Sequence, residues 1–215
     1  ISGGGESDVY IVMCRTGEKE ISTLIVDSDA EGLSFGKNES KMGWNVQPTK
    51  AVIFDDCKVP KENLLGKKGD GFKIAMSGLD GGRVNIASCS LGGAAYALDT
   101  ATQYIKNRKQ FGKLLSENQY LQFKLAQMGT NLEASRLMVR NAANLMDENH
   151  KEKSMYCAMA KYFATEKWSE IVDYALQMHG GYGYLKEYPV ERILRDLRVH
   201  QILEGSSEVM QIITS

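Results

Sequence analysis

The sequence has no Cys-x-x-Cys spacing and no cluster of histidines, and these absences argue first against a zinc site. Its cysteines, Cys14, Cys57, Cys89 and Cys157, stand far apart, and its histidines are His150, His179 and His200. Zinc ligands come in short, repeated spacings. No metal ligands are therefore assigned, and the cysteines are expected to be free, mostly buried thiols in a reducing compartment. The histidines form no spaced set, which leaves no histidine-based triad. Charge of one sign is also lacking: the formal net charge is −1, no electrostatic footprint for nucleic acid or an anionic membrane. No apolar run approaches the length that crosses a bilayer. There is no internal repeat or low-complexity segment, and no Gly-x-Gly-x-x-Gly follows a strand, so a Rossmann reading is rejected. The chain opens at Ile1-Ser2-Gly3-Gly4-Gly5 with neither Met nor a basic or hydrophobic leader. It is expected to be a piece of a longer protein.

What is present is ordinary for a soluble globular chain of one large or two small domains: 215 residues, 43% hydrophobic and 25% charged. Residues 1–65 read as β. Val9, Ile11 and Met13 alternate with Asp8, Tyr10 and Val12; Ile21, Thr23 and Ile25 repeat the period of two; Val52-Ile53-Phe54 reads as a short buried strand. Pro60, Gly66 and Lys67-Lys68-Gly69 mark a boundary, after which the period becomes helical. Leu121, Leu125, Met128, Leu132, Ser135, Val139, Ala142 and Met146 recur in steps of three and four, the stripe of a helix in a bundle. Further helices are expected from Met155 to Met178, from about Pro189 to Leu203, and after Ser207. The fold class is thus α+β: a partial antiparallel β-barrel or sandwich over 1–65, then an antiparallel helical bundle over 66–215.

Four constellations could carry chemistry. Arg108-Lys109-Gln110-Phe111-Gly112 sets a cation, an amide and a ring beside a glycine turn, able to grip a pyrophosphate and stack on a ring system. It equally suits a basic helix C-terminus. Gln177-Met178-His179-Gly180-Gly181-Tyr182-Gly183 ends a helix in glycines that let a ligand approach backbone amides, or simply cap the helix. Asp80-Gly81-Gly82-Arg83 puts two glycines inside a helical pattern at about 1 kcal/mol each relative to Ala, so either a neighbouring helix or a ligand lies close. Glu204-Gly205-Ser206-Ser207-Glu208 places a carboxylate at a bend between two helices, with a serine ready to cap the second. There a carboxylate can serve as a general base, or can merely end a helix near the positive end of the next.

In this order, the motifs Arg108-Lys109-Gln110-Phe111-Gly112, Gln177 to Gly183 and Glu204-Gly205-Ser206 resemble those of the acyl-CoA dehydrogenase family. Ala51 to Phe54, Arg83 to Gly92, Asn118 to Phe123 and Val199 to Ser206 are similar to members acting on short branched acyl groups such as isobutyryl-CoA. The resemblance implies an FAD enzyme that desaturates an acyl-CoA between its α and β carbons. The implied fold has an N-terminal helical domain, absent here, then a middle β-domain and a C-terminal antiparallel four-helix bundle. By match of motif, Glu204 is the base for the α proton. Ser2, Arg108, Gln110, Phe111, Asn118, Gln119, Gln177, Met178, His179, Gly180, Gly181, Ser206, Ser207 and Glu208 match flavin-site positions, Gln177 to Gly181 being the loop that reaches the FAD of a neighbouring subunit, and Asp80, Gly81, Gly82 and Arg83 match the acyl-CoA-contacting helix. Some subfamilies carry the base on the helix just before the Arg of that last motif; here that position is Gly82, which leaves Glu204. The resemblance further implies a homotetramer built as a dimer of dimers, electron-transfer flavoprotein as electron acceptor, a mitochondrial matrix location and a place in valine catabolism. A non-catalytic oligomerisation module and an acyl-CoA oxidase stand as alternatives.

Overall fold

The computed structural model describes residues 1–215, which divide into two compact units, Ile1–Leu79 and Asp80–Ser215. In the first unit, β1 (Val9–Arg15) pairs antiparallel with β2 (Ile21–Asp27), Val9 opposite Asp27 and Arg15 opposite Ile21. β3 (Leu33–Phe35) pairs with β4 (Val52–Phe54), and β5 (Leu64–Leu65) adds to β2, giving the order β1-β2-β5. Neither sheet closes into a barrel.

The period of two holds in β1, but the buried face is the one carrying Tyr10. Val9, Ile11 and Met13 are 48%, 59% and 43% exposed, whereas Tyr10 is buried. The Tyr10 hydroxyl accepts from the Gly5 amide at 2.8 Å and its ring lies 5.5 Å from that of Phe35, which ties this face inward. The expected buried run Val52–Phe54 is instead half exposed at Ile53 and Phe54, because β4 has β3 as its only paired neighbour.

The second unit holds most of α1 (Gly71–Asn107), followed by α2 (Gln119–Asp147), α3 (Lys153–His179), α4 (Pro189–Leu197) and α5 (Ser207–Thr214). Asn118 caps α2 by accepting from the Tyr120 amide at 3.0 Å. Met128, Leu132, Ser135, Val139 and Ala142 are buried along α2, the inner part of the expected stripe. Met128 and Leu132 meet an alanine-rich face of α1 (Ala94, Ala97, Ala101) and the buried Trp168, Ile171, Val172 and Ala175 of α3, whereas Val139 and Ala142 pack with Ala87 of α1 and with Cys157, Ala160 and Ala164 of α3. Small side chains let helix axes approach, and at Gly93 a methyl would lie only 3.2 Å from Leu197 Cγ of α4. The stretch expected as one helix to Leu203 is divided. α4 ends at Leu197, a 3-10 turn covers Arg198–Gln201, and a tight turn follows before α5.

All four cysteines are free, but only Cys157 is buried; Cys14 and Cys57 are partly exposed and Cys89 is exposed. The expectation of mostly buried thiols therefore holds at one position. Burial there pushes the thiol up to about 11, which keeps it protonated and unreactive. No helix is long and apolar enough to cross a membrane.

Candidate active site

Two places in the second unit gather most of the residues singled out by sequence. The first is a cleft of about 600 Å³ between the end of α1 and the end of α3. Arg108, Gln110 and the whole run Gln177 to Gly181 line it, together with Tyr104 and Tyr182. Its wall is held by stacked rings. Tyr104 lies flat on His179 at 4.3 Å, Tyr188 meets both edge-on, and the Arg108 guanidinium sits 5.3 Å from the Tyr182 centroid. His179 Nδ1 is 2.7 Å from the Ala175 carbonyl, so that nitrogen carries the proton and donates. Gly180 adopts a positive φ of 58°, and a methyl on Gly180 or Gly181 would meet nothing within 4 Å, so both peptides border open space.

Phe111 is not in the cleft wall. It occupies, with Gly112, the tip of a hairpin made by β6 (Lys109–Gln110) and β7 (Lys113–Leu114), at φ 55° and fully exposed. Asn118 and Gln119 are exposed at the start of α2. Ser2 lies in the first unit, exposed in an isolated bridge to Thr49.

The second place is the turn before α5. Gly205 has φ 91°, as its sequence suggests, but Glu204 itself also sits in the left-handed region at φ 54°. A non-glycine residue there costs about 1–2 kcal/mol, and such strain persists where surrounding contacts impose it. The turn lays the half-buried Glu204 against α1, onto Gly82. A methyl built on Gly82 would overlap the carboxylate, lying 2.7 Å from Glu204 Cδ, whereas one on Gly81 would meet only Met146 Cε at 3.9 Å. The glycine pair thus answers to a close approach at Gly82. Ser206 caps α5, its hydroxyl accepting from the Val209 amide at 3.5 Å. Its hydroxyl also holds the exposed Glu208 carboxyl below its ordinary range, with the helix-end amide of Glu208 adding to this.

Around this turn stand groups that sequence reasoning passed over. Lys161 of α3 is fully buried and donates to the Gly205 carbonyl at 2.6 Å. Glu166 accepts from Ser207 Oγ at 2.5 Å and from Gln201 Nε2 at 2.9 Å. The available signal was a lone lysine between Ala158, Ala160 and Ala164, too small a hint to rank. Flanking Gly81 and Gly82 on α1, Asp80 and Arg83 are buried with each other (2.8 Å), and Ser154 donates to Asp80 at 2.5 Å. Their side chains are committed to this pair, while Gly81 and Gly82 leave the same helix bare.

His200, on the 3-10 turn, is buried with Nδ1 2.8 Å from Ser90 Oγ. Burial, reinforced by the Lys161 charge, pulls its imidazole down to about 4. The unfolded chain takes up a proton below about pH 6.5 that the folded one refuses. Stability from this source is intact above that pH and is lost as pH falls towards 4, by about 3 kcal/mol. A His200→Gln variant is expected to show a shallower fall in Tm between pH 6.5 and 4; identical falls would contradict the assignment.

The chain belongs to the acyl-CoA dehydrogenase family: residues 1–57 match the model of its middle domain and residues 69–215 that of its C-terminal domain. It is 57% identical, over all of its length and 52% of the relative's, to the mitochondrial isobutyryl-CoA dehydrogenase of Bos taurus. It is 51% identical to CarC, a caffeyl-CoA reductase–Etf complex subunit of Acetobacterium woodii, over 93% of this chain and 52% of CarC. The solved acyl-CoA dehydrogenase of Bacillus anthracis, in complex with FAD, superposes with a TM-score of 0.93 at 33% identity, covering 99% of this chain and 40% of that one. FAD is the cofactor of this family. The chain spans about half the length of the curated relatives it matches.

Proposed function

We propose that this chain is the β-domain (1–65) and bundle (66–215) portion of a flavin-dependent acyl-CoA dehydrogenase acting on a short branched acyl-CoA of the isobutyryl type, with Glu204 as base. One observation carries this reading: the Glu204 carboxylate rests on Gly82, on a backbone conformation that costs energy to hold. A carboxylate oxygen so held accepts the α proton, and the electrons of that C–H bond form the new double bond. The Glu204 backbone amide is assigned to the thioester oxygen, whose developing charge it stabilises. FAD, when bound, supplies the acceptor for the β hydrogen and its electron pair.

The cleft residues fit part of that cofactor. The Arg108 guanidinium, the Gln110 and Gln177 amides and the bare peptides at Gly180 and Gly181 suit a pyrophosphate. Met178, His179 and the exposed ring of Phe111 suit its flat moieties. Ser2, Asn118, Gln119, Ser206, Ser207 and Glu208 are assigned to FAD contacts by motif, with Gln177 to Gly181 reaching the FAD of a neighbouring subunit, and the helix at Asp80 to Arg83 is assigned to the acyl-CoA. Arg108→Ala is expected to lower flavin content of the intact protein, since removing a charge-assisted contact costs about 1.5–3 kcal/mol, or roughly tenfold or more in affinity; full flavin occupancy in the variant would remove Arg108 from that role.

The names of the mitochondrial relatives support a mitochondrial location, and the name of CarC, a subunit of a complex with Etf, supports electron-transfer flavoprotein as acceptor; a matrix location and a role in valine breakdown belong to the same proposal. A homotetramer completes the proposal. The test is anaerobic titration of the intact flavoprotein with isobutyryl-, 2-methylbutyryl- and butyryl-CoA. Isobutyryl-CoA should bleach the flavin band most readily, the extra methylene of 2-methylbutyryl-CoA being worth about 10- to 200-fold. Absence of bleaching with all three overturns the reading, and rapid reoxidation by air would make the protein an oxidase.

A further inference from the structure

We propose that Lys161 is the positioning residue for Glu204: its ammonium holds the Gly205 carbonyl and so fixes the left-handed turn that keeps the carboxylate over Gly82. The inference rests on Glu204 being the base. A lysine with no exposed surface is rare and needs a specific partner, and here the partner is the peptide next to Glu204, 2.6 Å from Nζ. The rest of the segment is gripped from the same helix. Glu166 takes Gln201 and Ser207 on either side of the turn, and the Tyr162 hydroxyl accepts from Gln211 at 2.9 Å. Lys161 alone among these reaches the apex.

Packing of the bundle does not call for a cation at this position, since an apolar side chain of similar volume commonly replaces a buried charge without loss of stability. What does call for it is the turn, whose strained residue would relax without a bond at the apex. The charged and titratable groups facing Lys161 are Arg83 of α1, His200 of the 3-10 turn, Glu204 of the turn itself, Glu208 of α5 and Glu166 of its own helix. Burial pulls its ammonium down to about 8, with the carboxylates opposing. Above that pH the bond to the carbonyl loses its charge assistance and weakens.

The test compares Lys161→Met and Lys161→Arg with the unmutated intact flavoprotein, reading flavin content, kcat, KM and the pH profile of kcat. Lys161→Met is expected to keep its flavin and a KM within about threefold, to lose kcat by about 10- to 100-fold, and to lose the decline in kcat above pH 8. Lys161→Arg, which keeps the cation at all working pH values, should recover part of kcat while shedding the same decline. Unchanged kcat in Lys161→Met overturns the proposal, as does a loss of kcat that merely tracks lost flavin in both variants. Should Lys161→Met fail to fold, an alkaline decline that persists in Lys161→Arg overturns it. Full activity in Glu204→Gln would mean that the base assignment has failed, and the positioning role with it. An inactive Glu204→Gln beside a normal Lys161→Met would mean that only the positioning role has.

Discussion

Glu204→Gln is expected to keep FAD bound and to lose turnover by about 10²- to 10⁴-fold. Glutamine has nearly the shape of glutamate, so the seat on Gly82 and the turn at Glu204-Gly205 remain available to it. What it loses is an oxygen able to take a proton, and the α hydrogen of a thioester does not leave without a base. Flavin retention is expected because Arg108, Gln110, Gln177 and Gly181 line a different cleft, and because a side chain of the same shape leaves the neighbouring Ser206, Ser207 and Glu208 in place. Flavin absorbance per chain and kcat, measured on the same sample, separate the two effects. A variant within about tenfold of the unmutated kcat would not fit a base that contributes at least about a hundredfold.

Gly82→Ala is expected to cost about 100-fold in kcat without loss of flavin, since displacement of a reacting group by about 1 Å has consequences of that size. The added methyl would lie 2.7 Å from Glu204 Cδ, inside any real contact, so the carboxylate must move. Gly92→Ala, on the exposed side of the same helix with nothing within 4 Å, is the control. It should raise stability by about 0.5–1 kcal/mol through helix propensity alone. The same geometry bears on subfamilies that carry the base at the position of Gly82. A glutamate there would bring its carboxylate to the space that Glu204 now fills. Gly82→Glu placed on Glu204→Gly should therefore recover turnover above that of Glu204→Gly alone, and no recovery would mean that nearness of the two positions is insufficient.

The parts of this molecule legible in sequence are those whose cause is local. The α2 stripe and the Ser206 cap of α5 follow from spacing and from a short polar side chain at a helix start. The glycine pair at 81–82 announced a close approach, though the occupant of that space lies more than a hundred residues away. Features set by distant partners were not legible. The period of β1 is visible, but its buried face depends on Tyr10 reaching Gly5 and Phe35. Lys161 reads as one more helix lysine until the carbonyl 44 positions on is brought to it. The break of the fourth helical stretch, and the left-handed backbone at Glu204 itself, follow from Glu166 and Lys161 holding that segment to α3. Nothing between residues 197 and 204 carries that information alone.

The central claim, that the Glu204 carboxylate removes hydrogen from the carbon next to the thioester, is tested most directly by solvent exchange at that carbon. Isobutyryl-CoA incubated with the intact protein in heavy water without oxygen should gain deuterium at the α position, and the Glu204→Gln variant with bound flavin should give none. Deuterium entering at an equal rate with the variant would contradict the account.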